Sequence, residues 1–317
     1  GKTNKLLKSL RSSGYIADTG LTKAGKKTLS QFKVKNAVIM AAGMSSRFAP
    51  LSYERHKALI EVKGEVLIER QIRQLREAGV EKIYVVTGYK GEQFKYLGEK
   101  YRVQLVHNSE YATRNNHSSI HAVKDIVKNS YICSADNYFT ENPFNSSEET
   151  AFYSGIYSEG YTKEWCMKAD GDGYITDVQI GGADAWYMLG HVFWDEEFSK
   201  KFVKILEQSY GDEEIIDKLW EDIYIEHIGT LRMKLKKYAT ESIFEFDTLD
   251  ELREFDESYI EDTRSTILKD IAIKLETRES ELHKIQAIKA VDNCATGFKF
   301  ECEGREYSYE YGSGILK

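Results

Sequence analysis

Residues 36–60 read NAVIMAAGMSSRFAPLSYERHKALI. The apolar run Asn36–Ala42 passes straight into a small polar loop, and Arg47, Pro50 and Lys57 follow. The run has the look of a strand. Ala41, Ala42 and Gly43 keep the backbone bare where it ends, so backbone N–H groups are open to an anion. Arg47 adds a two-pronged cation and Lys57 a point charge, a pairing suited to phosphate. The spacing is not that of a P-loop, and no G-x-G-x-x-G is present. Taken alone, the loop reads equally as an ordinary strand-to-helix turn with a surface Arg and Lys.

Strand and helix patterns alternate after it. VLIERQIRQLREAG places Leu67, Ile68, Ile72, Leu75 and Ala78 on one helical side, with Gly79 as the stop. KIYVVTGY reads as a strand, GEQFKYLGEKY as a helix, VQLVHN as a strand, SSIHAVKDIV as a helix and SYICSADNYF as a strand. AVIMAA and IYVVTG are apolar throughout, which predicts burial on both faces. That pattern means an α/β fold with a mostly parallel central sheet flanked by helices. Ligands of such sheets bind at the carboxyl ends of the strands, where the opening loop lies.

The whole chain sets bounds on this reading. It has 317 residues, net charge −7 and 41% hydrophobic residues, which suits a globular protein and disfavours nucleic acid as partner of the whole. No run is long and apolar enough for a membrane span, and no signal-peptide core is present. Cys133, Cys166, Cys294 and Cys302 lack metal-ligand spacing, so reduced thiols and a cytoplasmic setting are expected.

MAAGMSSRFAPLSYERHKALIEVKGEVLIERQI resembles the signature loop of nucleotidyltransferases that join a nucleoside triphosphate to a phosphorylated alcohol. Two positions depart from the family pattern. Ser45 stands where Gly is usual, and His56 where Pro precedes the lysine. The first change is expected to tighten the loop and the second to loosen Lys57. VTGYKGEQFKYLGEKYRVQLVHNSEYATRNNHSSIHAVKD, SYICSADNYFTENPF, YTKEWCM and SIFEFDTLDELREF resemble the bacterial CTP:phosphocholine cytidylyltransferases, in order, from Val34 to Tyr259.

The resemblance implies a Rossmann-like domain over 34–259 that takes CTP and phosphocholine to CDP-choline and pyrophosphate. It implies Mg²⁺ on Asp136 and Asp247, with Arg47 and Lys57 neutralising phosphate. The nucleotide would lie against Ala41, Ala42, Gly43, Met44, Ser45 and Ser46, near Gly88 and Tyr89. Asp136 also reads as a strand-end cap, and Asp247 as an N-cap. Gln93 has the groups to pair with a base edge, or is a surface helix residue. A quaternary ammonium is held by aromatic faces with a carboxylate nearby. Trp165 beside Glu164 suits that task, as does the group Trp220, Glu221 and Asp222, although Trp220 reads equally as core. Asn115 and Asn116 match the family's paired Asn after Tyr111.

Two flanks remain. Residues 1–33, with LRSSGYI and GLTKAGKK, resemble the last helix and wing of a winged-helix domain without its earlier helices. Residues 260–317 hold a helix and a hairpin in which Phe298, Phe300 and Cys302 face Tyr307, Tyr309 and Tyr311 about a Glu303-Gly304 turn. This stretch, with a blurred Asp292-Asn293 and Ala295-Thr296, resembles the opening hairpin of bacterial choline kinases, so a longer fusion with such a kinase is a candidate arrangement. Two rivals stand beside the main reading. One is the same chemistry on phosphoethanolamine, an aminophosphonate or a sugar 1-phosphate. The other is a non-catalytic regulator that senses nucleotide or phosphocholine.

Overall fold

The computed structural model describes residues 2–290 and 294–317, so Asp292 and Asn293 lie outside the described residues. A seven-stranded sheet forms the centre. Its strands in chain order are β1 (Asn36–Ala41), β2 (Ile83–Thr87), β3 (Gln104–His107), β4 (Ser130–Ser134), β5 (Phe152–Ala169), β6 (Ile175–Trp194) and β7 (Lys234–Tyr238). They lie side by side as β7-β5-β6-β4-β1-β2-β3. The half β3-β2-β1-β4 is parallel, as the apolar runs predict. The other half is mixed: β6 runs antiparallel to β4 and β5, and β7 is parallel to β5.

The helices are α1 (Leu67–Glu77), α2 (Lys95–Tyr101), α3 (His117–Ala122), α4 (Glu196–Ser209) and α5 (Trp220–Glu226). The continuous apolar strands are two-sided, as expected. Ala37 and Ile39 of β1 face one core, with Ile68, Ile72 and Leu75 of α1. Val38 faces the other, with Ile120, Trp194, Phe202 and Trp220. Each such buried aliphatic side chain contributes about 1.5–3 kcal/mol. Trp220 is thereby settled as core, 1% exposed.

The long hairpin β5–β6 was not legible beforehand. Its register shifts repeatedly, and Cys166 pairs with both Gln179 and Tyr187, so the hairpin curls back on itself. Stretches such as YTKEW and GGADAW carry no clean alternation that would reveal this.

At the N-terminus a helix, Lys2–Ser12, a hairpin of Ile16–Ala17 with Gly20–Leu21, and a helix, Lys23–Ser30, form in the expected order. Thr22 caps the second helix by accepting from the Gly25 N–H. At the other end α6 (Thr266–Lys274) precedes a four-stranded sheet: β8 (His283–Lys289), β9 (Ala295–Cys302), β10 (Arg305–Glu310) and β11 (Ile315–Leu316). Phe298 faces Tyr309 and Phe300 faces Tyr307, as the alternation predicts. Glu303 and Gly304 both take positive φ, 49° and 74°, which gives the tight two-residue turn. A third core joins this sheet to the central unit, combining Leu268, Ile271, Phe298 and Phe300 with Phe48, Leu51, Ile60 and Leu67.

Candidate active site

A cleft of about 500 Å³ opens at the carboxyl ends of β1 and β4. Ala41, Ala42, Gly43, Met44 and Ser45 line one wall; Tyr111, Asn115, Asn116 and Asp217 line another; Lys57 and Asp136 lie between. Gly88 at the end of β2 is needed for this closeness: a Cβ there would stand 2.6 Å from the Tyr111 ring and 2.8 Å from the Ala42 carbonyl. The Tyr89 N–H donates to that carbonyl at 3.0 Å. Around Gly43, by contrast, a Cβ would meet nothing, so the loop backbone faces open space.

The charged centre is compact. Lys57 Nζ lies 2.8 Å from Asp136 Oδ2 and 3.6 Å from Asp247 Oδ1. Asp247 also takes Arg47 Nη1 at 2.6 Å. The Lys57 side chain is only 4% exposed. Burial alone would discharge it, but Asp136, Glu245 and Asp247 outweigh that cost and hold its pKa above the ordinary lysine value. Burial likewise works against the Asp136 carboxylate, and the Lys57 ammonium with its hydrogen bond overcomes it, leaving the pKa below the usual range. Glu245 completes the cluster. Glu245 is exposed, and the negative charge of Asp136 is the leading cause that pushes its carboxyl up to about 8. Glu245 is a residue that sequence reading missed. The alternation Phe244-Glu245-Phe246-Asp247 was the available signal, since it puts both acids on one side of an extended segment.

Three carboxylates crowded enough to keep one protonated suit a hard divalent cation, which relieves their repulsion. Among the described residues no three His, Cys, Asp or Glu side chains form a group that could hold a metal ion. A divalent cation at Asp136 and Asp247 would have to complete its shell with substrate oxygens and water.

His56 behaves differently from the expectation of a loosened lysine. Its Nδ1 accepts from the Ala58 N–H at 3.1 Å, which leaves Nε2 to carry the hydrogen and donate to the Gly43 carbonyl at 3.0 Å. Burial lowers its pKa to about 4, so the ring is neutral. His56 therefore ties the nucleotide-side loop to the lysine segment, where a proline would only stiffen it. Gln93 is used within the loop: its Oε1 accepts from the His56 N–H and its Nε2 donates to the Glu54 carbonyl, so the amide ties these segments together. Ser45 sits at φ 46°, ψ 43°, the left-handed conformation that glycine adopts freely.

The second set of expected residues divides. Asn115 Nδ2 donates to the Asp217 carbonyl, while Asn116 Nδ2 donates to Glu221 Oε2 and its Oδ1 accepts from the Trp220 N–H. The pair thus fastens the segment 217–221 to the cleft. Glu221 also accepts from the Tyr153 hydroxyl at 3.2 Å, and burial raises its carboxyl to about 7. Asp222 accepts from the Leu219 N–H and caps α5. Trp165 and Glu164 stand apart from this group. They lie on the curled part of β5, Glu164 exposed and Trp165 half-buried against the second core, and neither is among the residues that line the cleft.

A strand–loop–lysine clasp facing an acidic cluster at the switch point of a parallel sheet defines a nucleotidyltransferase. The family model for MobA-like NTP transferase domains matches residues 37–142. The choline-phosphate cytidylyltransferase of Streptococcus pneumoniae is 34% identical over 221 residues, 70% of this chain and 96% of that protein. The 2-aminoethylphosphonate cytidylyltransferase of Lancefieldella rimae is 36% identical over 229 residues, 71% of this chain and 93% of that protein. The solved structure of the S. pneumoniae CTP:phosphocholine cytidylyltransferase superposes with a TM-score of 0.67 at 35% identity, covering 71% of this chain and 99% of that one. The chain belongs to this bacterial cytidylyltransferase family and is an enzyme.

Proposed function

We propose that this enzyme transfers CMP from CTP to phosphocholine, giving CDP-choline and pyrophosphate. The observation that carries the reading is the Lys57–Asp136–Asp247 clasp at the mouth of the bare Ala41–Ser45 loop. In the reaction a phosphate oxygen of the acceptor forms a bond to the α-phosphorus as the bond to the bridging oxygen breaks, and pyrophosphate leaves. The loop N–H groups and Lys57 hold the nucleotide phosphates. Arg47, 68% exposed, exchanges Asp247 for the departing phosphates. Asp136 and Asp247, with Glu245 at hand, would hold a Mg²⁺ ion, which would supply neutralising charge where the two anions meet. The cationic head of the acceptor is directed to the cleft wall at Tyr111 and Asn116, behind which Glu221 takes the Asn116 amide and the Tyr153 hydroxyl. Phosphocholine carries a cation that cannot donate hydrogen bonds, and Tyr111 offers it an aromatic face.

A second acceptor is favoured by one observation. The cleft wall at Asn115, Asn116 and Asp217 is rich in hydrogen-bond acceptors and holds few aromatic faces. That suits a primary ammonium, as in phosphoethanolamine or 2-aminoethylphosphonate.

Pyrophosphate release with CTP and Mg²⁺ tests both readings. Phosphocholine, phosphoethanolamine, 2-aminoethylphosphonate and glucose 1-phosphate run in parallel, with Asp136→Ala as the blank. Turnover with phosphocholine above the others is expected. Turnover confined to a primary amine would move the acceptor, and none with any acceptor would sink the reaction.

No helix among the described residues is long and apolar enough to cross a membrane, and the four cysteines form no disulfides. Both fit the cytoplasmic setting that we assign. The likeness of residues 260–317 to a choline-kinase opening supports a longer fusion, which would place phosphocholine production beside its use.

A further inference from the structure

The nucleotide loop is held from behind by residues between Thr266 and Tyr311, in the C-terminal part of the chain. Three contacts reach across. Cys294 Sγ lies 3.4 Å from Met44 Sδ, and Met44 lines the cleft. The Tyr311 ring stacks on Tyr53 with centroids 3.7 Å apart and planes 9° from parallel. The backbone N–H and hydroxyl of Thr266 both donate to Glu54 Oε1. Between these points Phe48, Ala49 and Leu51 are sunk into the third core with Leu268, Ile271 and Phe298. Thus the segment from Met44 to Glu54 has the cleft on one side and the C-terminal sheet on the other. Lys90 links the stacked pair to the nucleotide side, with Nζ 5.7 Å from the Tyr53 ring and 5.1 Å from the Tyr89 ring.

We propose that the C-terminal sheet is a built part of the nucleotide site: a clamp that fixes the Met44–Glu54 segment through Tyr311 and so sets the affinity for CTP. Tyr311 is a positioning residue, acting on the nucleotide through Tyr53 and the loop. The effect on CTP rests on the cytidylyltransferase reading, whereas the clamping of the loop does not. A preformed loop loses less freedom when the nucleotide binds, which is how a remote contact raises affinity.

The test uses the full chain and three variants. Tyr311→Ala removes the stacked ring. Tyr311→Phe keeps it, because the Tyr311 hydroxyl is buried without a hydrogen-bond partner. Tyr307→Ala is the control for general loss of stability, since Tyr307 stacks on Phe300 within the same sheet and away from the loop. Amide hydrogen exchange over residues 44–54 reads the clamp directly, and KM for CTP against KM for the acceptor reads its consequence. Tyr311→Ala is expected to speed exchange over 44–54 and raise KM for CTP about five-fold, the worth of one aromatic pair. Acceptor KM should stay within two-fold, and the other two variants should match the parent. Unchanged exchange over 44–54 in Tyr311→Ala overturns the clamp, as does an equal rise of exchange in Tyr307→Ala. Faster exchange with unchanged KM for CTP would overturn the link to affinity. Faster exchange in a protein with no CTP turnover would instead uphold the clamp and sink the reaction assigned above.

Discussion

The two halves of the cleft are built differently. On the nucleotide side the loop, its lysine and the first acid come from Ala41–Asp136, carried on adjacent parallel strands. On the acceptor side the walls come from 108–119 and Asp217, and the Asn115 and Asn116 amides fasten them to the segment 217–221 across about a hundred residues of chain. The first half follows from local pattern. The second exists only once the chain has folded. The charged residues at the reacting centre, Lys57 and Asp136, should therefore act on both substrates, and the residues that build the acceptor side on one.

The largest expected effect is at Lys57. Lys57→Met should lower kcat/KM by about 10²–10³-fold for both substrates, because it removes a preorganised charge and leaves Asp136 without its counter-ion. A loss confined to the acceptor would break the division into halves. Next is Glu221→Gln, expected to raise KM for the acceptor about ten-fold, equal to ~1.4 kcal/mol, and to leave KM for CTP unchanged. Since burial holds the Glu221 carboxyl near 7, acceptor KM in the parent should fall as pH rises through 7 and the carboxyl ionises. Glu221→Gln should lose that part of the profile. Trp165→Ala sharpens the same contrast: both KM values should stay within about two-fold, and a larger rise for the acceptor would return Trp165 to the site.

His56 gives a smaller, pH-dependent effect. Its pKa in the folded chain is lowered to about 4, while Asp136, Lys57 and Lys90 face it. Burial, not these charges, dominates. The unfolded chain therefore takes up a proton below 6.5 that the folded chain refuses. Stability is full above that pH and falls between 6.5 and 4. His56→Gln should flatten part of the Tm–pH slope in this window; His191 and His117, also lowered by burial, retain the rest. The smallest effect is at Ser45. Ser45→Gly relieves the left-handed backbone and should stabilise the chain by about 0.5 kcal/mol, read as a small rise in Tm.

The division also explains what could be read from sequence. Ile39, Val85 and Ile132 announce a two-sided parallel sheet because burial on both faces leaves no polar alternation. Lys57 and Asp136 are legible because a strand end and its loop are local events. The C-terminal turn at Glu303-Gly304 is legible for the same reason. The tethering bonds of Gln93 and the cap at Asp222 were not legible because a polar side chain near a site serves equally well as a ligand, a cap or a tether, and its hydrogen-bond partners are set by the fold. The place of Trp165 was not legible because the curl of β5 depends on the pairing of Cys166 with Gln179 and Tyr187, which no local pattern encodes. Glu245 was missed for want of weight on a two-residue alternation.

The third core has a consequence for how such a chain changes. Because Phe48 and Leu51 share one interior with Ile271 and Phe298, the boundary near residue 260 is not a seam along which pieces can be exchanged. Grafting the first 260 residues onto another partner would expose that interior, and a substitution in the terminal sheet must be matched by one beneath the loop. The two stretches are bound to vary together, as the two faces of a single joint.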